Sequence, residues 1–391
     1  MTPNITHTYL TRTLLPVCTI LLFLLNSCRE EIVIWPPEII SVGDSVHNDI
    51  RGFYLLNEGN MGSNKASLDY YDFRTATYTR DFYAFRNPSV PKELGDVGND
   101  IAIYGSRLYV VVNCSNKIEV LNARNGQRIG QINIPNCRYL CFDGQYAYCT
   151  SYAGPVIPSA EHAQLGYVAR IDTATLTIDK TCIVGYQPDG IAVMNGFLYV
   201  ANSGGYMAPD YESTLSVIDL SSFTEVKRIH VAPNLHYVFA DLYGNLWVSS
   251  RGDNNTLSSS VVCLDPNPQA GSDTILCSFN LPIGDICISG DSLYIIGKAF
   301  NMVTFEEETS YAIIDIHEKR LLTTCFITDG SEHQIRQPYG IAVHPLTHDI
   351  YLTDVKDYIS PGMLHCYSSE GILRWSVRAG DIPAHIAFLH D

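Results

Sequence analysis

One phrase of about a dozen residues returns along the chain, and its return restricts the fold more than any single motif does. Each copy is an aliphatic strand, a tight turn usually containing glycine, and a strand in which an aromatic residue precedes Val, Ile or a similar residue. The copies read DIAIYGSRLYVVV (100–112), YLCFDGQYAYCT (139–150), GIAVMNGFLYVAN (190–202), YVFADLYGNLWVSS (237–250), DICISGDSLYIIG (285–297) and GIAVHPLTHDIYLTD (340–354). After a loop of variable length comes a third strand, as in YVARIDTAT or LSVIDLSSF, and then a fourth, as in DKTCIVG or EVKRIHVA. Four antiparallel strands at a spacing of roughly 40 to 55 residues are the signature of a propeller blade.

These copies make six complete blades, and the two chain ends supply a seventh. The N-terminal part carries a second strand (GFYLLNEG, 52–59), a third (ASLDYYDF, 66–73) and a fourth (TYTRDFYAF, 77–85), but no first strand. The C-terminus carries an orphan first strand, PAHIAF (383–388). Pairing the two removes two exposed sheet edges at once. The expected fold is therefore all-β, a seven-bladed β-propeller of four-stranded antiparallel blades over 51–391, closed by the C-terminal strand.

Ahead of the repeats, the apolar run Leu14 to Leu25 follows a single charged side chain, Arg12. It is too short to span a bilayer as a mature helix and fits the core of a signal peptide over 1–27. The run ends in Leu25-Asn26-Ser27-Cys28, which resembles the lipobox of bacterial lipoproteins and implies lipidation at Cys28. The alternative is an ordinary cleaved signal with an incidental cysteine. Arg29-Glu30-Glu31 resembles the surface-export signal of Bacteroidetes lipoproteins, and 28–50 reads as a lipidated N-terminus and linker. These features predict an outer-membrane, lipid-anchored protein displayed at the cell surface, held to the membrane by its lipid. Loss of 1–27 takes away one Arg and no acid, so the net charge of −16 becomes −17. An acidic surface of that size argues against nucleic acid as a partner.

Of the twelve cysteines, ten lie beyond Cys28, and none forms a CxxC pair. Most sit in apolar strand patterns (YLCF, VVCL, DICI), where a free thiol behaves as a small hydrophobe. A two-residue turn at Asp143-Gly144 would set Cys141 opposite Tyr146 and away from Cys149. Buried thiols are expected in place of a disulfide framework, and neither a metal nor a cofactor is expected.

In a blade with strands A to D, the B–C and D–A connections share one face and the A–B and C–D turns share the other. The A–B turns here are short, whereas B–C loops such as YAGPVIPSAEHAQLG, SGGYMAPDYES and AFNMVTFEEETS are long. Length beyond what a turn needs marks binding function on a rigid scaffold. Ligand-binding candidates at the loop starts are Asn57, Glu58, Asn113, Tyr152, Asn202, Arg251, Lys298 and Asp354. Beside the central channel come Arg138, Asp189, His236, Tyr339 and His385, with Asp100, and further out Tyr206 and Phe300. Amides, a few charges and aromatic rings suit a large, partly apolar ligand held by hydrogen bonds at its edge. Asn at a strand end also serves as a plain turn former, and Asp172, Asp219 and Asp315 are expected to bond turn amides within their blades.

The phrases FLYVANSGG and LSVIDLSSF resemble the YncE-like, YVTN-type seven-bladed propellers, with the NHL-type cadence GIAV…LYV close by. The runs NEGNMGSNKASLDYYDF and GDVGNDIAIYGSRLYVVVNCSNKIEV look like the surface propellers of that group in gut Bacteroidetes. That resemblance implies capture of a corrinoid (vitamin B12) and its delivery to a TonB-dependent outer-membrane transporter. A glycan- or protein-binding scaffold is the alternative. A second alternative is a lyase using a channel-mouth His and Glu, drawn from His236, His385 and Glu58. No GxSxG or HExxH motif is present, so no catalytic residue is expected. Quinone-dependent dehydrogenases resemble eight-bladed rings with repeated Trp motifs, and only Trp35, Trp247 and Trp375 occur here.

Overall fold

A computed structural model of the chain describes residues 36–156, 163–253, 256–266, 274–301 and 306–391. Residues 1–27, expected to be a signal peptide, and Cys28 lie outside the described residues. Seven antiparallel sheets form, one per repeat, six of four strands and one of five. The first strands are Pro383–His390 in blade one, then Gly98–Tyr104, Cys137–Asp143, Pro188–Met194, Leu235–Ala240, Asp285–Ser289 and Pro338–Val343 in blades two to seven.

Each blade's strands differ in how their sequences are buried. The second strands are near-continuous apolar runs, and Leu108 to Val112 and Leu198 to Ala201 have no more than 1% exposure at any position. The fourth strands alternate or face solvent, as in Thr224–His230 (TEVKRIH). Charged side chains such as Glu225, Lys227 and Arg228 on that outer strand discourage edge pairing with another chain. The core lies between blades: Tyr109, Val111 and Val120 of blade two interlock with Ala147, Cys149, Ala169 and Ile171 of blade three.

Closure occurs as the repeat count requires, with Pro383–His390 paired antiparallel to Ile50–Asn57. The turn aspartates also behave as expected. Asp172 accepts the amides of Ala174 and Thr175, Asp219 that of Ser222, and Asp315 those of His317 and Glu318.

Four local expectations are corrected. Ile39–Ser41, inside the segment read as linker, adds a fifth strand outside Thr77–Thr79, and Tyr71 donates to the Val42 carbonyl. The blade-one fourth strand stops at Thr79, and Phe82–Arg86 is a short helix that turns Phe82 and Tyr83 into the core shared with blade two. The blade-six loop is largely a strand hairpin, with Ser292–Asn301 pairing Glu306–Asp315 (Met302 lies outside the described residues). In blade three the turn residues are Gly144 and Gln145, so Cys141 stands opposite Tyr148. All ten cysteines beyond Cys28 carry free thiols. Cys263 and Cys277 face each other across paired strands, which their spacing in sequence does not reveal.

Candidate functional site

The axial mouth is built by β-bulges. In blade four Pro188 pairs with Asn202 and Ile191 with Val200, so Asp189 and Gly190 together stand opposite Ala201. The same slip places Arg138 and Tyr139 opposite Thr150, His236 and Tyr237 opposite Ser249, and Tyr339 and Gly340 opposite Thr353. An extra residue bends the strand and re-aims its side chains, here toward the axis on the long-loop side. Three of these bulges are held by a hydroxyl from the second strand. Thr150, Ser249 and Thr353 accept the backbone N–H of Tyr139, Tyr237 and Gly340 at 3.0, 2.9 and 2.8 Å.

Asp189 organises one side of the mouth. Its carboxylate has no exposed surface. One oxygen accepts from Arg138 Nε at 3.0 Å and the Tyr152 hydroxyl at 2.7 Å, and the other accepts from Arg251 Nη1 at 2.9 Å. Burial alone would raise this carboxyl, but Arg138 and Arg251 hold it far below the usual carboxylate range. The Arg138 guanidinium also lies 4.8 Å from the Tyr152 ring centroid, within cation–π range. Next to it, the Tyr139 hydroxyl and His236 Nε2 share a 2.8 Å hydrogen bond. Burial, reinforced by Arg251, drives the His236 pKa well down, so this imidazole is neutral.

The other side of the mouth has the opposite balance. His385 Nε2 lies 3.3 Å from Glu58 Oε1, and the Tyr339 hydroxyl donates to Glu58 Oε2 at 2.9 Å. Burial works against a charged His385, but the Glu58 hydrogen bond and the Glu58, Asp285 and Asp100 carboxylates raise its pKa. Asp100 and Asp285 each accept two backbone amides, one from the next residue and one from the adjoining blade, Leu140 and Ile341 respectively. Burial pushes Asp285 up to about 6. Behind this rim runs a channel of about 700 Å³ lined by first-strand residues of all seven blades.

A separate groove of about 590 Å³ opens on the long-loop face. Its walls are Met61 from blade one, Pro155, Val156 and Tyr152 from blade three, and Tyr206 from blade four; Asn113, Asn116, Asn133, Asn136 and Arg138 line it with polar groups. The groove exists because the B–C connection of blade two is only residues 113–116, while its neighbours' loops are longer. Asn113 Nδ2 donates to Asn136 Oδ1 and to the Cys137 carbonyl, and Asn136 Nδ2 donates to the Gly154 carbonyl.

The structure thus gathers Arg138, Tyr152, Asp189, His236 and Arg251 on one side of the mouth, and Glu58, Tyr339 and His385 on the other. Asn113 and Tyr206 join the groove. Asn57, Asn202 and Asp354 instead fasten the segments that lead into first strands. They accept amides of Gly380, Gly185, and both Arg336 and Gln337, respectively. Lys298 pairs with Glu307 at 2.7 Å along the blade-six hairpin, which also carries the exposed Phe300. Tyr139, Tyr237, Asp285 and the groove amides Asn116, Asn133 and Asn136 also line these sites, though loop length does not mark them. The available signal was the Thr or Ser that recurs one residue before the end of otherwise apolar second strands (YCTS, WVSS, YLTD). Among the described residues no group of three or more His, Cys, Asp or Glu is placed to hold a metal ion.

Residues 51–372 match the family described as Domain of unknown function (DUF5074). The chain belongs to that family. No curated protein matches it in sequence. Among solved structures, this DUF5074 chain is similar to a quinonprotein alcohol dehydrogenase-like protein from Bacteroides thetaiotaomicron, at 15% identity and TM-score 0.58, covering 88% of this chain and 79% of that one. It is also similar to a hypothetical selenium-binding protein from Sulfolobus tokodaii, at 11% identity and TM-score 0.59, with 90% and 94% covered. A third is the periplasmic gluconolactonase of Pseudomonas aeruginosa, at 12% identity and TM-score 0.58, with 86% and 99% covered. At these identities the likeness is one of fold, and it supports a propeller family.

Proposed function

We propose that this chain is a cell-surface capture protein that holds an extracellular ligand on the long-loop face of its propeller. The observation that carries the reading is the groove between blades one to four, with a volume of about 590 Å³. That lies within the roughly 300–1,000 Å³ that small-ligand sites occupy. Its polar lining is dominated by amides and its rim by aromatic and apolar side chains, which suits a large ligand edged with hydrogen-bonding groups. A corrinoid fits that description, and the resemblance to YncE-like surface propellers favours it. Lipidation at Cys28 would keep the propeller at the outer membrane, where a TonB-dependent transporter could receive the ligand.

Calorimetric titration of residues 36–391 with cyanocobalamin tests this. One-to-one saturable binding, weakened by Tyr152→Ala and Tyr206→Ala, is the expected result. No heat at high micromolar ligand would remove the corrinoid and turn the search to glycans and protein partners.

A second reading, a lyase-type activity, is supported by the hydrogen-bonded Glu58, His385 and Tyr339 at the channel mouth. A carboxylate, an imidazole and a phenol in contact are the groups that acid–base chemistry uses. Turnover of a candidate substrate that His385→Asn abolishes, with the fold intact, would support it.

A further inference from the structure

We infer that the Arg138–Arg251 edge of the axial mouth, where it meets the groove, binds an oxyanion carried by the ligand, a carboxylate or a phosphate, with Tyr152 and Tyr206 flanking the group that bears it. This inference rests on the long-loop face being the ligand face, and it adds the chemistry of one end of the ligand.

Charge is the first support. Among the described residues, Asp189 is the sole carboxylate that ion-pairs with either Arg138 or Arg251. One carboxylate faces two guanidiniums, and the neighbouring phenols and His236 are neutral, so the cluster carries a net positive charge. Asp189 has no exposed side-chain surface and Arg138 only 12%. An uncompensated charge in such a place is costly, and an arriving anion relieves that cost.

The second support is geometry. Among the described residues, Arg138 bonds Asp189 through Nε alone and Arg251 through one Nη alone. Among the described residues the remaining N–H groups of these two planar forks meet no protein acceptor, and such forks match the geometry of carboxylate and phosphate. Arg138 lines the groove, and the Arg251 side chain is 37% exposed, so the edge is open to an incoming group. Tyr152 and Tyr206 meet edge to face at 6.5 Å between ring centroids, Tyr152 buried and Tyr206 54% exposed. The exposed Tyr206 ring gives an aryl or other planar body a surface to lie on, with Tyr152 at the groove wall beside it.

Third, the setting is selective. The chain has a net charge of −16, so its general surface repels anions. A local cationic recess then distinguishes an oxyanion from the bulk of the surface and not merely by attraction to the whole molecule.

The test titrates the full-length chain, purified in detergent, with phenyl phosphate, benzoate and the uncharged benzamide. At least one of the two anions should bind in the millimolar range or tighter, and benzamide should bind at least about tenfold more weakly. Arg251→Gln and Arg138→Gln should each weaken anion binding about tenfold or more, with melting checked alongside. Which anion binds better identifies the group as carboxylate or phosphate. Raising NaCl from about 20 mM to about 300 mM should weaken wild-type binding, a readout that needs no variant. Equal binding of benzamide, or affinity untouched by salt and by Arg251→Gln, would overturn the inference. Anion binding without cyanocobalamin binding removes the corrinoid and keeps this site. Cyanocobalamin binding with no anion binding does the reverse.

Discussion

With no exposed surface, the Asp189 carboxylate would drift toward its neutral form, yet Arg138, Arg251 and the Tyr152 hydroxyl keep it charged. Removing that charge strands two guanidiniums. Asp189→Asn is therefore expected to cost about 3–5 kcal/mol in urea denaturation at neutral pH, and a loss under about 1 kcal/mol would contradict the cluster's role. Because its folded pKa is lowered, the stability Asp189 contributes is present above the ordinary carboxylate range and is lost as pH falls through the folded value. His385 runs the other way. Its folded pKa is raised, so its contribution is complete below the unfolded value and fades as pH rises through the folded one. The stability difference between wild type and His385→Asn should thus shrink from about pH 6 to about pH 9. A difference that grows over that window would mean that Glu58, Asp285 and Asp100 do not hold the imidazolium. Asp285, with a folded pKa of about 6, likewise contributes most in acid and loses that contribution as pH rises through about 6.

At the level of the strand, the bulges decide where the mouth residues point, and one hydroxyl secures each of three. Thr353→Val keeps the shape and β-branching but leaves the Gly340 amide without its acceptor. A loss of about 1–3 kcal/mol is expected from thermal or urea unfolding, and a neutral result would show that the bulge holds itself. The strands were legible because apolar runs and turns repeat with a fixed period. The bulges were not, because one extra residue in a first strand alters neither composition nor period. The same period misled at Phe82 and Tyr83, aromatic residues that suit a strand but dock from a helix into the core shared by blades one and two. It misled again at Lys298 and Phe300, which lie on paired strand and not in a loop. Asn57, Asn202 and Asp354 show why strand-end polar residues are ambiguous. The same side chain can face a ligand or fasten a connecting segment, and only the position of the neighbouring backbone decides.

Across the whole molecule, the ring is closed by Pro383–His390, whose eight residues complete blade one. Ending the chain at residue 382 would expose the Ile50–Asn57 edge and open the interface of Ala387 and Leu389 with Tyr54 and Leu56. Such a chain should lose its cooperative melt and aggregate, and an unchanged melt would mean that closure is dispensable. The number of blades and the closing strand were readable from the sequence because both chain ends fit the count. The residues that circle the mouth, Arg138, Asp189, His236, Tyr339 and His385, were readable as the positions that open first strands. The groove was not, since it depends on a short connection at 113–116 beside longer ones in blades one, three and four, a difference visible only once the blades stand in a ring. We propose this long-loop face as the one that takes the ligand. Hydrogen–deuterium exchange of the chain with and without saturating cyanocobalamin tests that placement. Added protection over 113–116, 133–138, 152–156 and 203–213 is the predicted result; protection confined to the opposite turns at 105–106, 195–196 and 290–291 would contradict it.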